Sequence, residues 1–257
     1  MERITSRSNG RIKDTVRLRD RKVRTETGLF FFEGVHLTEE YLRFRGIPEA
    51  VFVTDRAAGS YGSLLSRLPG DRLISVTDEV YGKLTGEASP QGILCVCRLP
   101  RISTSAPEGG GVLFLESVRD TGNLGTVIRT AAALGVRSVV LSSDCADLYS
   151  PKTLRASMGA VFSANIAVAA DFKAEITRAA GFGRVYASAL HDDSVSIGSF
   201  RVMPEDSFVI GNEGQGVSPE VKALCCATAV IPMTERAESL NVSAAAAIIM
   251  WEMTHGR

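Results

Sequence analysis

Three stretches of this chain place polar side chains and glycines directly after short apolar runs. The first is ESVRDTGNLGTVIRTAAALGV, which follows VLFL and carries Asn123, Gly125 and Arg129. Asn123 is a good helix cap, and Leu124, Val127, Ile128, Ala131 and Leu134 form an apolar stripe behind it. Arg129 is then a long cation inside an otherwise apolar, alanine-rich helix. Such a group can bind a phosphate or offset a developing oxyanion, or its stem can simply cover apolar surface. The second stretch is GNEGQGVSPE, where Gly211, Gly214 and Gly216 let backbone approach a ligand and Glu213 adds a carboxylate. Its spacing is not the G-x-G-x-x-G of dinucleotide folds, and no P-loop is present. The third is IPMTERAESLNVSAAAAIIMWE, with Ser239, Asn241 and Ser243 ahead of an alanine-rich helix that they can also cap.

Other chemistries are poorly supported. His36, His191 and His255 lie far apart in sequence, and none sits beside a Ser or Cys in a nucleophile motif. The five cysteines, Cys95, Cys97, Cys145, Cys225 and Cys226, have C-x-C and C-C spacings rather than the paired C-x-x-C of a zinc site. They read as reduced and mostly buried, with no metal site.

Positioning the three stretches requires a sheet. From residue 112 onward VLFLE, SVVLS, ANIAVAA, RVYASAL, SFVIG and TAVIP recur with helical segments between most of them. That alternation predicts a parallel sheet covered on both faces, whose ligands sit beyond the carboxyl ends of the strands. Before residue 102, FFFEG, AVFVT, RLISV and GILCVC read as strands, and Ile12–Val23, Val35–Phe44 and Tyr61–Leu68 as helices. The organisation expected is therefore a small α/β domain over 1–101, a Ser-, Pro- and Gly-rich connection over 102–111, and a parallel α/β domain over 112–257.

Composition narrows the partners. In 257 residues, Lys plus Arg and Asp plus Glu are each 29, with 45% hydrophobic and 23% charged residues. This is a globular chain, neither disordered nor basic throughout, with no apolar run of about 20 residues to span a bilayer. The N-terminus is charged where a signal peptide needs an apolar core, so a cytoplasmic location is expected. The balance is uneven, however. Residues 1–25 hold nine Lys or Arg, among them Arg7, Arg11, Lys13 and Arg17, against three acids. Such a run either binds a polyanion such as RNA or forms a solvated helix face.

In their order, the three stretches resemble the SpoU (TrmH-like) branch of the SPOUT methyltransferases. The family's N-x-G-x-x-x-R matches Asn123, Gly125 and Arg129, and its G-x-E-G-x-G matches Gly211, Glu213, Gly214 and Gly216. Its I-P-M strand and S-L-N-V-S match Ile231 to Met233 and Ser239 to Ser243. SPKTLRASMGAVF is similar to the family's linking helix region, and the resemblance covers roughly residues 112–253. FFFEGVHLTEEYL and SPQGILCV look like the ribosomal-protein-like substrate-binding domain of rRNA-modifying members. One departure is Glu235, where the family often has glycine.

The resemblance implies a SPOUT α/β domain with a trefoil knot, a homodimer with active sites beside the interface, and S-adenosylmethionine as cofactor. It implies methylation of a ribose 2′-hydroxyl, in rRNA ahead of tRNA, without a metal. A protein of the same fold that binds RNA without transfer is the other reading. Gly211, Gly216, Ile231, Met233 and Leu240 would hold the cofactor. Arg129, Asn123, Glu213, Ser239 and Asn241 would serve catalysis, and Arg7, Arg11, Lys13 and Arg17 would bind RNA. On this reading Gly211→Val abolishes cofactor binding and leaves the fold intact.

Overall fold

The computed structural model describes residues 2–189, 194–234, 236 and 238–255. The chain divides into two compact units, residues 1–101 with 147–162, and residues 102–146 with 163–257.

The first unit is a mixed sheet. In chain order it contains β1 (Glu2–Ile4), α1 (Gly10–Arg17), α2 (Arg21–Thr27), β2 (Leu29–Glu33), α3 (Val35–Phe44), β3 (Ala50–Thr54), α4 (Asp55–Ser60), α5 (Gly62–Leu65), β4 (Leu73–Val76), α6 (Asp78–Leu84) and β5 (Ile93–Arg98). The strand order is β1-β4-β3-β5-β2, with β5 antiparallel to both of its neighbours. The single helix expected over Ile12–Val23 is two helices. Leu18 ends the first by turning into the core, and the Asp20 side chain caps the second by accepting from the Lys22 N–H at 2.7 Å. Helix α6, which the sequence reading missed, starts where Thr77 accepts from the Val80 N–H.

Residues 147–162, expected in the second domain, belong to this unit. They include α7 (Pro151–Ala156) and a 3-10 turn over Ala160–Phe162. Tyr149 and Phe162 join Phe30, Phe32 and Tyr41 in an aromatic cluster with ring centroids 4.8–6.4 Å apart. Aromatic contact area of this kind outweighs sequence proximity.

The second unit contains β6 (Val112–Leu115), α8 (Thr121–Leu134), β7 (Ser138–Leu141), β8 (Ile166–Val168), α9 (Phe172–Ala180), β9 (Val185–Ser188), β10 (Val195–Ser196), β11 (Ser207–Ile210), α10 (Pro219–Lys222), β12 (Ala227–Val230) and α11 (Val242–His255). Its sheet order is β10-β12-β9-β11-β6-β7-β8, and every pairing is parallel. Strands β7 and β8 extend from β6 on one side, and the later strands fill the other. The order therefore reverses between β6 and β11, where Leu115 pairs with Ile210. Residues 102–111 are docked here rather than loose. Ser103 bridges Ala167, and the Glu175 carboxylate accepts from the Ser105 hydroxyl at 2.7 Å and the Ala106 N–H at 3.1 Å.

Candidate active site

The loops leaving β6 and β11 are tied together where the strand order reverses. The Glu116 carboxylate accepts from the Ser218 N–H at 2.8 Å and the Ser218 hydroxyl at 2.6 Å. The Asn212 amide donates to the Ser117 carbonyl at 2.9 Å. Within the second loop, Asn212 and Gly216 exchange backbone hydrogen bonds, and the Asn212 side chain accepts from the N–H groups of Gly214 and Gln215. Gly216 closes this turn at φ 67°, a conformation that suits glycine.

Gly211 has a different reason to be glycine from the one expected. A Cβ there would lie 2.0 Å from the Gly216 carbonyl carbon and 2.2 Å from the Val217 nitrogen. The loop's own backbone fills the space, so a valine must break the loop itself. The expectation that Gly211→Val spares the fold is therefore wrong.

Beyond the carboxyl ends of β9, β11 and β12 lies a cavity of about 640 Å³. Gly211, Gly216, Ile231, Met233 and Leu240 line it, as do Glu213, Ser239 and Asn241. The start of α11 closes one side through Val242 and Ala245. Lys222 and Glu238 also line it and were not singled out from sequence. Their only signal was nearness to the motifs.

Asn123 does not line the cavity, but it joins two residues that do. Its amide donates to the Glu213 carboxylate at 3.1 Å, and its carbonyl oxygen accepts from the Asn241 amide at 3.1 Å. Asn241 accepts in turn from the Ser243 N–H at 2.9 Å as it caps α11. A carboxylate can only accept and a backbone N–H can only donate, so both amide orientations are determined by the ends of the chain of bonds. The helix cap expected of Asn123 is supplied by Asp120, which accepts from the Asn123 N–H at 2.8 Å. That substitution leaves the Asn123 side chain available to link α8, the glycine loop and α11.

Arg129 stands apart from this network. It is exposed on α8, outside the cavity lining, and no partner for it is found among the described residues. Glu235 and His191 lie outside the described residues. His36 contacts the Met158 carbonyl, and His255 stacks on Trp251 with centroids 4.0 Å apart.

The basic N-terminal segment is mostly engaged within its own unit. Arg7 pairs with Glu79, Arg11 with Glu2, and Arg17 approaches Asp14 at 3.9 Å. Arg19 donates to the carbonyls of Leu84 and Thr85 at the end of α6. Arg24 is 3% exposed, donates to the Leu18 and Arg19 carbonyls at 2.6 and 2.8 Å, and pairs with Asp147. Arg24 is therefore a core residue, and the idea that the whole run from Arg3 to Arg24 meets phosphates is corrected. The Lys13 side chain has no partner among the described residues.

The cysteines are all free thiols. Cys95, Cys97 and Cys145 are buried, Cys225 is half-buried and Cys226 is exposed. Burial pushes Cys95 and Cys225 up to about 12, so both stay protonated at neutral pH. No group of three or more His, Cys, Asp or Glu among the described residues could hold a metal ion. No described helix is long and apolar enough to cross a membrane.

A parallel α/β unit with a cavity beyond the carboxyl ends of its strands, on the β11 side of the reversal of strand order, together with a mixed α/β unit, defines a ligand-binding protein of the open-sheet α/β class. Residues 111–251 match the SpoU rRNA Methylase family, and residues 9–95 match the MRM3-like substrate binding domain. The chain belongs to the SpoU family. It is 32% identical to the 23S rRNA (guanosine(2553)-2′-O)-methyltransferase RlmP of Bacillus subtilis, over 98% of this chain and 99% of that protein. It is 31% identical to the 23S rRNA (uridine(2479)-2′-O)-methyltransferase of Streptomyces viridochromogenes, over 99% and 92%. The crystal structure of the AdoMet-bound rRNA methyltransferase from Sinorhizobium meliloti superposes with a TM-score of 0.85 at 29% identity, covering 98% of this chain and 97% of that one.

Proposed function

We propose that this protein transfers the methyl group of S-adenosylmethionine to a ribose 2′-hydroxyl of ribosomal RNA. The observation that carries the reading is the cavity at the carboxyl ends of β9, β11 and β12, bordered by the Asn123–Glu213–Asn241 network.

The cavity suits the cofactor. Ile231, Met233 and Leu240 supply apolar surface for an adenine ring, and the glycine loop leaves backbone groups at the wall. When bound, S-adenosylmethionine supplies a methyl group activated on a sulfonium centre. The protein's task is to bring a ribose oxygen in line with that centre and to stabilise charge as the oxygen attacks. Asn123, Glu213 and Asn241 hold one rigid side of the site, and Ser239 offers a hydroxyl to the ribose. Arg129 takes an electrostatic role and not that of the base. It binds an RNA phosphate and offsets the charge developing on the attacking oxygen.

The same reading includes a homodimer, a trefoil knot formed by the glycine loop and the Ile231–Ser243 segment, and a cytoplasmic location. Ile248 and Trp251, 39% and 53% exposed on α11, support the dimer, since large apolar groups on one helix face favour burial. Sedimentation should give twice the chain mass. Single-turnover transfer to unmethylated 23S rRNA, with mapping of 2′-O-methyl sites in cells with and without the gene, tests the activity. Absence of any changed site would overturn it.

A further inference from the structure

The mixed α/β unit holds a cavity of about 400 Å³ that methyl-transfer chemistry does not use. Its wall is built from the start of α3, the segment joining α6 to β5, and α7. Groups of both polarities converge on it. Glu33 accepts from the Thr85 hydroxyl at 2.5 Å and the Gly86 N–H at 3.0 Å, which holds its carboxylate in place with lone pairs to spare. Gln91 accepts from the Val35 N–H at 2.8 Å, so its carbonyl oxygen is identified and its NH2 is left to donate. Ser89 is exposed at the rim, and its hydroxyl has no partner among the described residues.

His36 supplies an aromatic face. Its Nε2 lies 3.2 Å from the Met158 carbonyl oxygen, which can only accept, so the ring donates and is held. Met158 sits at φ 50°, one of two non-glycine residues described with positive φ. Strain of this kind persists where surrounding structure requires it, and here it accompanies the contact that holds the imidazole. Arg155 pairs with Glu87 at the same cavity, which reduces the cation's availability to an outside anion.

A phosphate would meet two carboxylates here, and an apolar ligand would leave their neighbours unpaired. A flat heteroaromatic group with donors and acceptors along its edge satisfies both the ring and the polar wall. We infer that this cavity receives a nucleobase unstacked from the RNA substrate, with His36 stacking on its face and Glu33, Ser89 and Gln91 reading its edge. This rests on the RNA-methyltransferase reading above and adds a second point at which the RNA is gripped.

The test uses the full chain and an in vitro transcript of 23S rRNA, with binding measured across a range of salt. His36→Ala should weaken binding roughly tenfold to a hundredfold, the scale of losing one base stack. The salt slope should not change, because stacking releases no counterions. His36→Phe should restore most of the affinity, and Ser89→Trp, which fills the rim, should weaken binding as His36→Ala does. Melting temperature and S-adenosylmethionine affinity should match wild type in all three. Wild-type affinity in the alanine variant, or a salt slope lowered by about one unit as for a phosphate contact, would overturn the assignment. Failure of the wild-type protein to bind the transcript would instead remove the RNA-methyltransferase reading itself.

Discussion

Arg24 in the first unit and Arg129 in the second are both arginines on helices, and they have opposite fates. Arg24 is buried, donates to two carbonyls and pairs with Asp147. Arg129 is exposed, with no partner among the described residues. Arg24 came from a charge run that suggested RNA, and Arg129 from a single position in an apolar helix. The difference teaches that a cation's use depends on what the fold brings to it. A guanidinium enclosed in the core by two carbonyls and a carboxylate is out of a ligand's reach even with its Nε–H unpaired, whereas an exposed one keeps its planar fork available.

The largest effect expected belongs to neither arginine. Gly211→Val places side-chain atoms in the Gly216 backbone and should destabilise the second unit by about 4 kcal/mol or more. A cooperative melt close to wild type would refute the account of that loop. Arg24→Ala comes next, removing the buried cation that pairs with Asp147 and donates to the Leu18 and Arg19 carbonyls. A loss of about 3–5 kcal/mol is expected by chemical denaturation, with cofactor affinity unchanged in the folded fraction. If that variant is stable but loses RNA, the contrast between the two arginines collapses.

Arg129→Lys should sharpen the contrast from the other side. Its melting temperature and S-adenosylmethionine affinity should stay near wild type, while single-turnover transfer at saturating RNA falls about a hundredfold. Near-normal transfer by the lysine variant would leave only a charge requirement.

A smaller effect concerns the docked segment at residues 102–111. Burial alone would raise the Glu175 carboxyl, but hydrogen bonds from Arg178, Ser105 and the Ala106 N–H hold it below the usual glutamate range. A carboxyl depressed in the folded state stabilises above its unfolded pKa, and that contribution is lost as pH falls through the folded value. Wild type should therefore exceed Glu175→Gln in stability at neutral pH, with the gap closing below about pH 4. A gap independent of pH would show that the hydrogen bonds, and not the charge, do the holding. The smallest expected change is for Lys13→Gln, which should lower the salt slope of rRNA binding by about one unit. No change in slope would return Lys13 to a solvated face.

Much of the second unit was legible in sequence because its strands are apolar on both faces and separated by amphipathic helices. Six of its strands lie at VLFLE, SVVLS, ANIAVAA, RVYASAL, SFVIG and TAVIP. The two-residue β10 at Val195–Ser196 was not, since so short a pairing carries no period. The eight glycine-loop and α11-entry residues singled out for the site all line one cavity, because strand carboxyl ends collect there whatever the details of packing.

Other features depend on contacts between residues far apart in the chain. Asp120 rather than Asn123 caps α8, a choice between two good caps that local propensity does not decide. Asn123 could then reach Glu213 and Asn241, which are 90 and 118 residues away. The role of Gly211 depends on Gly216 folding back onto it, and the role of Arg24 on Asp147, 123 residues downstream. Sequence by itself determined where strands, helices and polar loops lie, because those follow from local period and turn chemistry. Only the tertiary structure decided which glycine is sterically required, which arginine is buried and which amides are joined, because each depends on atoms supplied by another part of the fold.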